Sequence, residues 1–411
     1  MPEFADVIPL SLYVHFPWCV RKCPYCDFNS HPLKDDLPEQ AYVDALLADL
    51  DLETAALRSR RVESAFIGGG TPSLLSPDAV ARLIEGIGDR VELAPDCEIT
   101  LEANPGSAEA ARFDGIRQAG VTRLSLGVQS FDDRLLAAIG RIHDGRQARA
   151  AAEMAKSANF DSLNLDLMYG LPGQSAAQAL LDLQSALELE PTHLSYYQLT
   201  LEPNTLFFRH PPGLPREEAS WRMSEQGIEH LQARGFARYE VSAFARPGFE
   251  CLHNLNYWRF GDYAGIGAGA HGKLTDLRRG EIRRTLKPRH PRAYMEAARN
   301  RAFARKREVV GRDILPLEFM MNALRLIDGF DLALFPHRSG IPLGKISRSL
   351  AEAEAKAMIE IRGGVLRPTE TGLRFLDDLL LLFAPKARPR HAPCGAPCAP
   401  SGDGLRSVGD P

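Results

Sequence analysis

Between Leu10 and Leu199 short apolar runs alternate with longer amphipathic stretches, and this alternation constrains the fold more than any other feature of the chain. The strand-like runs are Leu10–His15, Ser64–Ile67, Glu98–Leu101, Arg123–Val128, Leu163–Leu167 and His193–Leu199. Helix-like segments separate them: Glu39–Leu57, Pro77–Ile87, Ala108–Ala119, Gly145–Ala158 and Ser175–Leu189. A strand that rejoins its sheet in the same direction needs a crossover long enough to hold a helix, so this pattern predicts a parallel sheet of the α/β class. Six units rather than eight predict an open, partial (β/α)6 barrel. Ligands in such folds sit at the rim made by the carboxyl ends of the strands.

The first strand leads directly into Cys19-Val-Arg-Lys-Cys23-Pro-Tyr-Cys26. Three cysteines in this spacing can give three thiolates to a four-iron cluster and leave one iron without a protein ligand. A zinc site would call for a second Cys or His half-site, which the next hundred residues lack. A disulfide framework fits poorly with seven cysteines, an odd and small number for 411 residues. The separate Cys97 and Cys251 read as small apolar residues. The spacing and its place after the first strand resemble the radical S-adenosylmethionine (SAM) enzymes. The resemblance implies a [4Fe-4S] cluster on Cys19, Cys23 and Cys26, with SAM chelated at the open iron. In that family an electron from the reduced cluster breaks the sulfonium bond and releases a 5′-deoxyadenosyl radical.

The other strand ends carry polar or glycine-rich clusters that would share the same rim. The second is followed by Gly68-Gly-Gly-Thr-Pro72, where missing side chains let backbone groups approach a ligand. Glu102 and Asn104 end the third, Gln129 the fourth and Asp166 the fifth. Carboxylates and amides there can accept from ribose hydroxyls or a cationic amine, although each alone is equally a cap or turn former. Arg141 and His143 follow the fourth strand and suit the SAM carboxylate, a guanidinium by its two-point fork; the alternative for both is a surface turn.

Tyr13-Val-His-Phe-Pro-Trp-Cys19, Gly68-Gly-Gly-Thr-Pro72, Gly127-Val-Gln-Ser130 and Asp166-Leu-Met-Tyr-Gly-Leu-Pro172 together resemble the group that contains oxygen-independent coproporphyrinogen III dehydrogenase and its HemW-type heme chaperone relatives. The likeness runs from about residue 9 to residue 383. Carried over position by position, it implies a SAM pocket lined by Tyr13, Tyr25, Gly69, Gly70, Thr71, Glu102, Gln129, Arg141 and Asp166, with Tyr25 placed to flank the adenine. Within the group, Phe28 stands where the dehydrogenase has a further cysteine, and the arm before Cys19 is short. Both point to the chaperone branch. So does His253-Asn-Leu-Asn-Tyr257-Trp258, which resembles that branch's heme-binding motif. An imidazole is a common axial ligand of heme iron, and two aromatics can cover a porphyrin face. The resemblance therefore implies heme as third cofactor, respiratory proteins as its recipients and a homodimer. The alternative is radical decarboxylation of coproporphyrinogen III.

The glycine-rich Gly261–Gly272 run reads as a closing wall of the SAM site, and His271 as structural or a second heme ligand. The segment from Arg278 to Arg307 carries twelve Lys or Arg against Glu281 and Glu296. It reads as an exposed basic connection, with contact to an anionic membrane surface as the sharper alternative. A net charge of −4 argues against nucleic acid. Met1–Asp6 lacks the pattern of a signal peptide and no run of 18 apolar residues occurs, so the expected compartment is the cytoplasm.

Beyond the basic segment, helices over Leu317–Ile327 and Gly344–Ile361, a β-turn unit from Val365 and a helix over Leu373–Phe383 predict a winged-helix-like accessory domain. The expected organisation is a barrel over 1–245, a heme-motif segment and connection over 246–310, the accessory domain over 311–383 and a disordered tail over 384–411. Cys394 and Cys398 in that tail are expected to be unliganded.

Overall fold

The computed structural model describes residues 4–385 except 6, 59, 302, 304 and 305. The disordered-tail expectation, with Cys394 and Cys398, falls almost wholly outside the described residues. Twelve strands form one mixed sheet: β1 Leu10–Phe16, β2 Arg61–Gly69, β3 Glu92–Ala103, β4 Arg123–Gln129, β5 Ser162–Tyr169, β6 His193–Gln198, β7 Ala237–Glu240, β8 Ala243–Ala245, β9 Asp262–Gly267, β10 His271–Asp276, β11 Glu281–Leu286 and β12 Lys306–Val309. Their spatial order is β12-β11-β10-β9-β1-β2-β3-β4-β5-β6-β8-β7. The six expected strands lie side by side and parallel. A seventh, β9, runs parallel to β1 on its other edge, and antiparallel strands extend the sheet at both ends.

The parallel strands are covered on both faces, which is why they read as near-continuous apolar runs; all seven residues of β4 are buried. The crossover helices are α1 Glu39–Leu57, α2 Pro77–Gly88, α3 Gly145–Ser157 and α4 Ala176–Glu188, and the last three begin at capping residues. Ser76 accepts from Ala79 N with Pro77 at the first helical position. Asp144 with Gln147, and Ser175 with Gln178, form reciprocal capping boxes. The expected helix Ala108–Ala119 is instead two short pieces, Ser107–Ala110 and Phe113–Gln118. The break lets Arg112 donate to Leu74 O at 2.7 Å and buries Phe113.

The run expected as a closing wall is mostly strand. Gly265 and Gly267 lie in β9, where a Cβ would strike backbone of His271 or His15 within 2.3 Å, so glycine lets β9 sit between β1 and β10. The basic segment is only in part the exposed connection expected: it follows α5 Leu252–Trp258 and supplies β11, α6 Pro291–Arg299 and the start of β12, while Arg278, Arg279, Arg289, Arg292, Arg299 and Arg301 are exposed. Lys287 is fully buried between Asp49 (2.5 Å) and Glu53 (2.8 Å), Arg283 pairs with Glu281, and Arg284 pairs with Glu318. These three cations are thereby neutralised within the fold.

The C-terminal part has its own core, including Phe319, Phe335, Leu350 and Leu366, under a three-stranded sheet of Phe330–Asp331, Val365–Pro368 and Ile359–Arg362. The expected helix Gly344–Ile361 stops at Ala355, because Ala357 turns to φ 53° and the chain enters a hairpin closed by Gly363 and Gly364. This part is fastened to the main sheet by Arg325–Glu240 (2.8 Å) and by Ile327 N donating to Tyr239 O. No helix among the described residues is long and apolar enough to cross a membrane.

Candidate functional site

The carboxyl ends of β1 to β6 converge on a cavity of about 270 Å³. The loop after β1 brings Cys19, Cys23 and Cys26 to it, and the loop is held in a tight course by Cys26 N donating to Cys23 O and Leu33 N to Cys19 O. All three cysteines are partly exposed and free of disulfides. Among the described residues no three His, Cys, Asp or Glu converge closely enough to hold a single metal ion. Three thiols on one loop at the cavity can each take a different iron of one cluster. Burial pushes the Cys19 and Cys26 thiols up, so the protein alone favours the protonated form and a bound cationic centre would draw the protons off.

Glycine at 69 and 70 serves close packing. Gly69 has φ 109°, and a Cβ there would meet the His15 ring at 2.3 Å; one on Gly70 would meet Trp18 O at 2.4 Å. The amides of this run are already engaged: Gly69 N with Glu102 Oε2 (2.9 Å), Gly70 N with Phe16 O (2.6 Å) and Thr71 N with Trp18 O (2.7 Å). The run therefore clamps the cluster loop to β2 and β3, and what it offers the cavity is space rather than free N–H donors.

The cavity's polar wall is charged on both sides. Arg141 is half-buried, donating to Asn104 Oδ1 (2.7 Å), Gly127 O (2.5 Å) and Cys23 Sγ (3.7 Å), while its Nε is buried without a partner. Glu102 and Asp166 form no ion pair among the described residues. Burial pushes Glu102 up to about 7 against the help of the Gly69 N–H, and Asp166 close by adds to the rise. Asp166 is itself raised by burial despite donors from Asn164 and Ser125. Two carboxyls raised by burial, of which Asp166 feels the charge of Arg123 and Glu102 has no cation against it among the described residues, beside a guanidinium with a spare N–H, fit a ligand carrying an ammonium, hydroxyls and a carboxylate, as SAM does. Tyr25 lines the same cavity, and Gln129, in a left-handed conformation at φ 69°, accepts from Tyr197 OH at 2.9 Å.

A second cavity, of about 440 Å³, adjoins the first and shares Phe28, Gly69 and Glu102 with it. Its back is aromatic. The His253 ring lies 5.1 Å from Phe66, 6.3 Å from Tyr13 and 6.5 Å from Tyr257, centre to centre. Tyr257 stacks on Tyr263 at 4.4 Å, and Trp258, with its indole N–H unpartnered, lies under the Arg325 guanidinium. His253 Nδ1 lies 3.5 Å from Ser64 Oγ, and burial lowers its pKa to about 3, so the imidazole is neutral at physiological pH. A neutral imidazole is the form that ligates a metal. Glu98, from β3, holds the N-terminus of α5: its Oε1 accepts from Leu252 N at 2.9 Å and His253 N at 3.4 Å.

The structure thus brings Cys19, Cys23, Cys26, Tyr25, Gly69, Gly70, Thr71, Glu102, Gln129, Arg141 and Asp166 to the first cavity, and His253, Tyr257 and Trp258 to the second. Tyr13 lines the second instead of the first, because it shares a face of β1 with His15, to which its hydroxyl bonds at 2.9 Å. His143 stays outside both, its Nε2 bonded to Val128 O at 3.0 Å. Of the glycine-rich run, Gly269 and His271 line the second cavity, not the first. Tyr197 at the end of β6, Phe66 and Glu98 are functional candidates that motif reading passes over; only Tyr197 had a signal, its place at the rim.

Residues 13–183 match the Radical SAM superfamily and residues 312–375 the HemN C-terminal domain. The chain is 51% identical over 375 residues to heme chaperone HemW of Escherichia coli (strain K12), spanning 91% of this chain and 98% of that protein. It is 36% identical over 382 residues to heme chaperone HemW of Mycobacterium tuberculosis, spanning 91% and 94%. Radical S-adenosyl methionine domain-containing protein 1, mitochondrial, of Bos taurus is 35% identical, spanning 90% and 86%. The structure superposes on coproporphyrinogen III oxidase (HemN) of Escherichia coli with a TM-score of 0.77 at 23% identity, covering 92% of this chain and 90% of that one, a likeness that shows the radical SAM fold with its C-terminal domain. On half-identity sustained over nearly its whole length, the chain belongs to the HemW family of the radical SAM superfamily.

Proposed function

We propose that this protein is a cytoplasmic heme chaperone: it binds heme in the aromatic cavity around His253 and delivers it to heme-requiring respiratory proteins. The observation that carries the reading is a neutral, buried imidazole facing an aromatic cavity, in a chain half-identical to a protein named heme chaperone. Cys19, Cys23 and Cys26 would hold a [4Fe-4S] cluster and the residues around Arg141 would hold SAM; when bound, this pair supplies an electron and a cleavable sulfonium bond. The chain's own part is then definite. Arg141 is fixed by Asn104 and Gly127 and offers its remaining N–H to a carboxylate. Glu102 and Asp166 accept from an ammonium and hydroxyls, and the clamp at Gly69 and Gly70 keeps the loop closed against β2.

For heme, His253 would supply a nitrogen to the iron, and Tyr13, Phe66 and Tyr257 would offer aromatic cover to the porphyrin. A dimer and contact of the exposed arginines with an anionic membrane surface belong to the same reading of delivery.

The test is a heme titration by absorption spectroscopy of the anaerobically reconstituted protein and of His253→Ala. Saturable binding near one heme per chain, weakened about tenfold or spectrally altered in the variant, supports the reading. Binding that the substitution leaves unchanged moves the ligand away from His253. A parent that binds no heme yet converts coproporphyrinogen III with SAM and a reductant overturns the chaperone in favour of the decarboxylase.

A further inference from the structure

The second cavity is polarised along its length. Its one carboxyl, Glu102, lies at the inner end, where the two cavities meet. At the outer lip stand Asn29, His271 and Arg289. Arg289 is exposed and makes no ion pair among the described residues, whereas the neighbouring Arg284 is already engaged by Glu318. Burial, then the charges of Arg284 and Arg289, hold His271 below the usual imidazole range, which reports how close these three groups are. The backbone carrying Arg289 is fixed: Asn29 Nδ2 donates both to Arg289 O (2.8 Å) and to Ala268 O (2.9 Å), and Gly269 N donates to Pro288 O (2.8 Å).

A cavity with an aromatic back and an uncompensated cation on a rigid lip fits a flat, apolar ligand that carries anions along one edge. We propose that Arg289, assisted by His271, binds the propionate carboxylates of heme and so sets the orientation in which the porphyrin enters. The assignment rests on the heme-binding reading given above. A guanidinium offers a carboxylate a two-point fork. With the propionates held at the lip, the opposite, apolar edge of the ring points inward toward Phe66 and the wall shared with the cluster cavity. The charge pattern of the cavity opposes the reversed pose, since it would bring propionates against Glu102.

The experiment titrates the full-length reconstituted protein with heme and with heme dimethyl ester, in which both propionates are capped, for the parent, Arg289→Gln and Arg289→Glu. We expect Arg289→Gln to weaken heme about fivefold, as for a solvent-screened ion pair. Charge reversal should weaken it further. The diester should bind all three proteins alike. Heme affinity of the parent should also fall from low to high NaCl, and that dependence should flatten in Arg289→Gln. Equal affinity of the parent for heme and its diester, or equal loss of both ligands in Arg289→Gln, overturns the propionate assignment alone. A parent that binds neither overturns it together with the heme reading.

Discussion

Lys287 gives the sharpest test of how this fold is held at the edge of the second cavity. Its ammonium is fully buried, 2.5 Å from Asp49 Oδ1 and 2.8 Å from Glu53 Oε1. Asp49 Oδ2 in turn takes the Tyr294 hydroxyl (2.8 Å) and the Gly267 N–H (3.3 Å), so one network ties α1, β9 and α6 together. Lys287→Ala removes the buried ammonium that Asp49 and Glu53 share. Breaking a buried ion pair from one side costs about 3–5 kcal/mol. At roughly 2–3 °C per kcal/mol for a body of this size, the unfolding midpoint should drop by about 6–15 °C. Burial already raises Asp49 against the pull of Lys287, and the loss of that pull raises it further. A carboxyl whose folded pKa lies above its unfolded one stabilises the fold below the unfolded value, and that stability is lost as pH rises through the folded value. The deficit of Lys287→Ala relative to the parent should therefore shrink as the buffer is made more acidic from about pH 8. Asp49→Asn combined with Lys287→Met, which removes the Lys287–Asp49 pair as a unit and leaves Glu53, should recover part of the loss. Thermal melts followed by circular dichroism read all of this. A Lys287→Ala protein that melts with the parent at the alkaline end, or whose deficit grows on acidification, refutes the argument.

Gly69→Ala should lower stability by about 1–3 kcal/mol, since it combines a positive φ with a Cβ in the His15 ring; it should also weaken SAM binding, checked by equilibrium dialysis, because the clamp on the cluster loop opens. Glu102 is raised to about 7, so a cationic ligand that needs its ionised form should bind more tightly as pH rises through that value. Calorimetric titration with SAM across that range should show the trend in the parent and none in Glu102→Gln; the same slope in both proteins would remove Glu102 from the ammonium's partners.

The sequence shows the six parallel strands from β1 to β6 and the cluster loop, because both are written in local terms, but not the six further strands that extend the sheet at its edges. Parallel strands covered on both faces leave unbroken apolar runs, and capping residues such as Ser76, Asp144 and Ser175 mark where helices begin. The rim residues also follow, since strand ends share one edge. What is not legible depends on contacts between distant segments. The basic run from Arg278 looks solvated until Asp49 and Glu53, more than 230 residues earlier, are found around Lys287. Tyr13 belongs to a SAM-site motif by its neighbours, yet strand alternation pairs it with His15 on the side facing α5. Glu98 looks like an ordinary strand residue until α5 is placed on its carboxylate.

Position 28 shows how a small sequence difference acquires physical meaning from its place. One of the three sequence features that separate the two branches is Phe28, which the resemblance sets where the dehydrogenase has a further cysteine. In the fold Phe28 lies on the wall shared by both cavities, and it is 57% exposed. Its carbonyl is held by Ser30 N (2.7 Å) and Lys22 Nζ (2.9 Å), so the ring's position follows from a fixed backbone. A thiol there would put a fourth sulfur two residues from Cys26; a phenyl ring cannot ligate iron and instead presents an apolar face toward His253 and Tyr257. Phe28 thus leaves three thiols on this loop and extends the aromatic lining of the neighbouring cavity.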